Sequence, residues 1–166
     1  PRTLKAYSLY LQYSNQKRPL LIADLKEDVL DEILKKLQIE HIKLHIHCTG
    51  YVPNSDLPYL YNGAYIFLYT SLRESFGIPI LEAMACGTPV ITSNTSSMPE
   101  IAGEQAILVN PYKEENIMEK LLLLESDTHL YQQQVIYGLQ RIKTFSWENT
   151  AKKLLSIYSS LSKEQA

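Results

Sequence analysis

The sequence predicts an α/β fold, a Rossmann-like parallel sheet with helices on both faces, formed as one domain over residues 1–166. Three observations carry this. Short apolar and β-branched runs of strand length alternate with longer stretches of helical periodicity. Each link between successive strands is long enough for a crossover, which makes the strands parallel and the units right-handed. Finally, an apolar run, a tight loop and a stretch of good helix formers follow one another directly between Ala64 and Gly87.

Taken in order, Thr3 to Tyr13 places Leu4, Tyr7 and Leu11 at helical spacing. Leu20 to Ala23 is a short continuous apolar run, the kind that suits a parallel strand covered on both faces. Leu30, Ile33, Leu34 and Leu37 give a second amphipathic helix within Lys26 to Gln38. From Ile42 to Cys48, apolar residues alternate with Lys43, His45 and His47, which predicts a strand. Leu57 to Asn62 is a short helix that either Asp56 or Ser55 could cap. Ala64 to Tyr69 is a strand, and Ile78-Pro79 opens a helix that Gly87 closes, Pro suiting a first helical turn and Gly the position past the end. Val90 to Thr92 and Ala106 to Val109 are strands flanking one helical turn at Pro99 to Ala102. Long helices follow from about residue 114: Glu114 to Leu124, Thr128 to Lys143, and Trp147 to Leu161.

Composition narrows the function classes. Charged residues make up 20% of the chain and the net charge is −2, which is no footprint for nucleic acid. No apolar run approaches the roughly 20 residues that cross a bilayer, and no secretory signal is visible. Cys48 and Cys86 fit no metal or redox spacing and read as reduced, buried thiols, which indicates a cytoplasmic protein. His45 and His47 share strand spacing, but no third ligand accompanies them, so they read as a solvated face and no metal is expected. The twelve tyrosines fall on helix faces and strands and read as packing.

The chemistry concentrates between Ser71 and Val90. A helix opening at Ile78 aims the N–H groups of Gly77, Ile78 and Ile80, with the positive end of the helix dipole, at whatever lies beyond the preceding strand. An anion such as a phosphate suits that place. Glu74 lies in the loop and Glu82 in the second turn, where side chains lean back toward the helix start. Carboxylates are poor phosphate ligands and good acceptors for sugar hydroxyls, so the pair reads as one crevice for a ligand carrying both phosphate and hydroxyls. As plainer readings, Glu82 would stabilise a helix amino end and Glu74 would be an exposed loop carboxylate.

Glu74-x7-Glu82 with Phe76-Gly77 inside it, followed by Ala85-Cys86-Gly87-Thr88-Pro89-Val90, resembles the signature of the retaining glycosyltransferases of the GT-B fold, the glycosyl transferases group 1 family. Met98-Pro99-Glu100-Ile101-Ala102-Gly103 extends the match downstream, and Gly50-Tyr51-Val52 with Asp56-Leu57-Pro58-Tyr59-Leu60-Tyr61 extends it upstream. The resemblance implies the carboxyl-terminal, donor-binding half of such an enzyme, which moves a hexose of mannose or glucose type from a GDP- or UDP-linked sugar to a glycan or lipid-linked acceptor. It implies Glu74 as the catalytic carboxylate, accepting from hexose hydroxyls as the anomeric carbon becomes oxocarbenium-like. Glu82 would accept from the ribose, Ser75, Phe76, Gly77 and Ile78 would line the donor site mainly through backbone, and Tyr51 and Val52 would meet the base. Asn94, Ser96 and Glu100 resemble a loop that often approaches base or ribose, although Glu100 reads first as a helix N-terminal residue. No protein nucleophile, cofactor or metal is implied, because the departing phosphate acts as base on the same face of the sugar.

The family's domain begins with a strand and a loop carrying an Arg and a Lys for the donor diphosphate. Here the chain opens at Pro1-Arg2-Thr3, so that basic pair is assigned to no residue and the first strand is expected upstream, leaving a sheet edge uncovered. The acceptor would be held by an amino-terminal domain outside this sequence, so residues 1–166 alone are expected to be inactive, with membrane association peripheral at most. The last helix has an apolar stripe through Trp147, Ala151, Leu154, Leu155, Tyr158 and Leu161, part of which is expected, without that domain, to be exposed or packed against another copy of the chain. Competing readings are a GT-B nucleotide-sugar epimerase, a non-catalytic nucleotide-sugar-binding module, and a flavodoxin-like binding module.

Overall fold

The computed structural model describes residues 1–163. Its elements run α1 (Arg2–Tyr13), β1 (Leu20–Ala23), α2 (Glu27–Leu37), β2 (Ile46–Gly50), α3 (Leu57–Gly63), β3 (Phe67–Tyr69), α4 (Ile78–Ala85), β4 (Val90–Ser93), α5 (Met98–Ala102), β5 (Ile107–Val109), α6 (Glu114–Ser126), α7 (Thr128–Arg141) and α8 (Trp147–Lys163). All strand pairs are parallel, and they form two ladders, β1–β2 and β3–β4–β5.

Alternation along the strands builds two cores. Ile91 faces the first, with Leu4, Tyr7 and Tyr10 of α1, Leu30 and Leu34 of α2, and Ile117 and Leu124 of α6. Its neighbour Val90 faces the second, with Tyr61 of α3, Ile80 and Met84 of α4, and Met98 and Ile101 of α5. Successive strand side chains point to opposite faces, so β4 is buried at every residue. The sheet with helices on both faces is therefore realised in the three-stranded ladder.

The two-stranded ladder differs from expectation. Leu20 and Ile22 pack on the first core, while Leu21 is 49% exposed and the strand alternates between half-buried and exposed. β1 is covered on one face, because α1 and α2 lie on the same side of it. Between the ladders, Arg18 stacks on the Tyr65 ring at 3.7 Å, and the Thr3 and Thr70 hydroxyls meet at 2.8 Å.

Two strands are shorter than their sequence patterns. Residues Glu40–His45 form a 3-10 turn and pairing starts only at Ile46. Ile42 is fully buried there, whereas Leu44 is 90% exposed, so the two do not share a strand face. His45 ends the turn with its carbonyl accepting from Tyr7, and only His47 lies on the strand. Likewise Ala64 to Ile66 precede β3 unpaired, since β4 offers partners from Val90 onward. Neither proposed cap of α3 works through its side chain: no helix N–H donates to either, and the Ser55 hydroxyl donates to Asp56 Oδ1. Cys48 and Cys86 are free thiols, half-buried rather than buried. Helix α8 exposes Trp147, Leu154, Leu155, Tyr158 and Leu161, as the sequence implied.

Candidate functional site

In parallel ladders, ligand sites form beyond the carboxyl ends of the strands. The segments after β3 and β4 leave that edge side by side, and a row of hydroxyls stitches them together. Thr92 Oγ1 donates to the Tyr69 carbonyl (2.9 Å) and Ser93 Oγ to that of Ser71 (2.6 Å). Further out, Ser96 Oγ donates to the Glu74 carbonyl (2.8 Å) and accepts from the Glu74 N–H (3.2 Å). Ser97 Oγ reaches the carbonyls of Glu74 and Phe76 at 3.1 and 3.0 Å. Ser96 holds a left-handed backbone, φ 57°, which places its hydroxyl between the N–H and C=O of one residue. Sequence reading assigned Ser96 to a base- or ribose-approaching loop and missed this stitching. The run of Thr and Ser from Thr92 to Ser97 was its only signal.

Held in this way, the loop turns into α4 at Gly77, whose φ of 100° falls where glycine is favoured. A Cβ there would lie 3.2 Å from Ile80 Cδ1, so the helix start packs directly on the glycine. The predicted amide cradle is smaller than expected: the Ile80 N–H is taken by the Gly77 carbonyl at 3.0 Å, and Pro79 donates nothing. Of the three predicted donors, the Gly77 and Ile78 N–H groups remain without a described partner, Gly77 being buried and Ile78 exposed. Around them Phe76 and Ile78 are 43% and 59% exposed, Ser75 is exposed, and Glu74 is half-buried.

Glu82, one turn further on, is exposed but not unheld: Tyr61 Oη donates to its Oε2 at 3.0 Å. Burial first, and then this carboxylate, raise the pKa of Tyr61, which keeps its phenol a donor. Tyr61 meets Phe67 edge to face (5.1 Å between centroids), and Phe67 stacks on Tyr69 (5.7 Å). Burial and the neighbouring Glu74 carboxylate push Tyr69 up to about 12. One aromatic row thus runs from the Glu82 partner to the Glu74 neighbour.

Tyr51 and Val52 stand at the end of β2, in the other ladder. Tyr51 is 80% exposed and Val52 half-buried. No hydrogen bond joins them to the loop at Glu74. Of two surface concavities, the one lined by Asn110, Lys113 and Asn116 contains none of the predicted site residues, and the one flanked by α5 and α7 contains Glu100 but neither Glu74 nor Glu82. Among the described residues no helix is long and apolar enough to cross a membrane.

Parallel strands flanked by helices make this an α/β domain, and the solved structures it resembles give it the GT-B glycosyltransferase fold. Comparison with known proteins gives the family. Residues 2–141 match the model of "Glycosyl transferases group 1", and the chain belongs to that family. It is 36% identical over 161 residues to O-antigen chain mannosyltransferase B of Escherichia coli, covering 95% of this chain and 42% of that protein. It is 34% identical over 153 residues to the serotype-specific mannosyltransferase WbdA of Escherichia coli, covering 89% of this chain and 18% of that protein. The chain thus spans less than half the length of these relatives. Among solved structures, the C-terminal domain of a glycosyl transferase group 1 family protein (LpcC) from Francisella tularensis superposes with a TM-score of 0.70 at 26% identity, over 86% of this chain and 76% of that one. Anabaena Alr3699/HepE, solved with UDP-glucose, shares the fold at a TM-score of 0.76 and 18% identity, over 95% of this chain and 44% of that one.

Proposed function

We propose that this chain is the donor-binding half of a retaining glycosyltransferase that transfers a hexose, most simply mannose, from a nucleotide diphosphate sugar to a glycan or lipid-linked acceptor. The observation that carries the reading is the start of α4: two amides, at Gly77 and Ile78, with no described hydrogen-bond partner, on the helix whose carboxylate Glu82 a buried phenol already holds. The amides and the helix dipole favour the diphosphate. Glu82 accepts from ribose hydroxyls, and Glu74 accepts from hexose hydroxyls and stabilises positive charge developing at the anomeric carbon. The bond from that carbon to the diphosphate oxygen breaks, the acceptor oxygen bonds to the same face, and its proton passes to the departing phosphate. No metal or cofactor enters the scheme. That the two Escherichia coli relatives are mannosyltransferases supports mannose as the sugar.

Calorimetric titration of GDP-mannose, UDP-glucose, GDP and UDP into residues 1–166 tests the reading. One nucleotide family binds, and Glu82→Ala weakens it about ten-fold, a charged acceptor to sugar hydroxyls being worth about 1.5 kcal/mol. Unchanged affinity in that variant would reject the assignment.

A further inference from the structure

Glu82 sits on an exposed face of α4, where a glutamate side chain has several rotamers and ordinarily samples them. Here its partner is fixed at several points. Tyr61 is 8% exposed, and its backbone carbonyl accepts a short 2.6 Å bond from the buried Thr88 hydroxyl. Its ring lies edge-on to Phe67, whose own strand is paired to β4 from Val90 onward. A phenol so placed cannot swing away, and its O–H is spent on one oxygen of the Glu82 carboxylate. The other oxygen, Oε1, has no protein partner in the hydrogen bonds described. The helix therefore presents a carboxylate whose orientation is set before any ligand arrives, which lowers the ordering cost of binding.

We propose that Tyr61 is a positioning residue for the donor, locking the Glu82 carboxylate in the orientation that accepts a vicinal pair of ribose hydroxyls, with Phe67 and Tyr69 holding that lock in register with Glu74. This rests on the donor-site reading above and deepens it. Tyr61 touches no ligand itself and acts only through Glu82.

The test is a double-mutant cycle read by calorimetry on residues 1–166, using whichever of GDP or UDP binds and its 2′,3′-dideoxy counterpart. Tyr61→Phe keeps the ring and its packing on Phe67 and removes only the donor. Its affinity for the ribonucleotide falls about five-fold, a change typical of one hydrogen bond, while its affinity for the dideoxy nucleotide is unchanged. In the Glu82→Ala background, Tyr61→Phe has no further effect. Equal weakening of both nucleotides, or a Tyr61→Phe effect that persists without Glu82, would make Tyr61 merely structural and overturn the proposal. A Glu82→Ala effect with no Tyr61→Phe effect would also overturn it, while leaving the donor-site reading intact. If neither nucleotide binds the wild-type chain, or Glu82→Ala changes nothing, the donor-site reading falls and this inference falls with it.

Discussion

The two strand ladders are both built from short parallel strands, and they end differently. In β3–β4–β5 both faces are covered, and the segments leaving the carboxyl edge are cross-linked by hydroxyls from Thr92 to Ser97. In β1–β2 one face is open, and the segments beyond the strands are joined by two backbone bonds, Asp24 N–H to Gly50 O and Gly50 N–H to Leu25 O, at 2.8 and 3.2 Å. On the proposed donor-site reading, the more heavily cross-linked edge is the one where the carboxylates would meet a sugar of defined stereochemistry. The end bearing Tyr51 stays open, and on the same reading it would meet the base through main chain. A site needs its supporting residues locked mainly where it must fix geometry.

The sharpest way to break this contrast is a matched pair of truncations. Ile91→Ala, at a fully buried position in the three-stranded ladder, is expected to cost about 4 kcal/mol. Leu21→Ala, half exposed on β1, is expected to cost less than about 1.5 kcal/mol. Urea unfolding of both measures the difference, and equal costs would mean that the open face of β1 is covered in solution.

The second effect concerns what holds the weaker ladder. Tyr7 Oη donates toward the carbonyls of Arg18 and His45, both at 2.9 Å, just before β1 and β2 begin. Tyr7→Phe leaves these carbonyls without their donor and is expected to cost about 2 kcal/mol. Burial pushes the Tyr7 phenol up to about 12 from an ordinary 10. Its contribution is therefore complete below pH 10 and is lost as pH rises from there through 12. Thermal melts should show stability falling over that window, with a shallower fall in Tyr7→Phe. An identical slope in the two proteins would remove Tyr7 as the titrating anchor.

Much of this was legible in the sequence, and the misses share a cause. Every α-helix and strand was placed in order, because local periodicity and boundary residues announce them: Pro79 at the start of α4 and Gly87 beyond its end act locally. The motif loop was legible for the same reason. What periodicity could not give was partnership. Ile42 and Leu44 alternate like strand residues, yet the chain coils into a 3-10 turn because pairing with β1 begins only at Ile46. The apolar run of β1 looked doubly covered, although which side α1 and α2 occupy is decided by topology. Tyr61 was visible only as part of a family match. Its bond to Glu82 joins residues 21 apart, and nothing in either neighbourhood announces it.

The smallest expected effect bears most directly on the stitched edge. Ser97 precedes α5 and spends its hydroxyl on the carbonyls of Glu74 and Phe76, the residues on either side of Ser75. Ser97→Ala removes one donor shared between two acceptors, in a part-exposed setting where water can replace it, so the stability cost is about 1 kcal/mol or less. Function should lose more than stability does. Glu74 would keep its Ser96 bonds but lose the second restraint on the turn into Gly77, and a small displacement there moves the carboxylate relative to α4. The expected signature is a several-fold loss in affinity for an intact nucleotide sugar, with little loss for the nucleotide alone, because Glu74 is assigned to the hexose and Glu82 to the ribose. Equal losses for both ligands would mean that the stitched edge supports the site as a whole, and would erase the division of labour drawn between the two carboxylates.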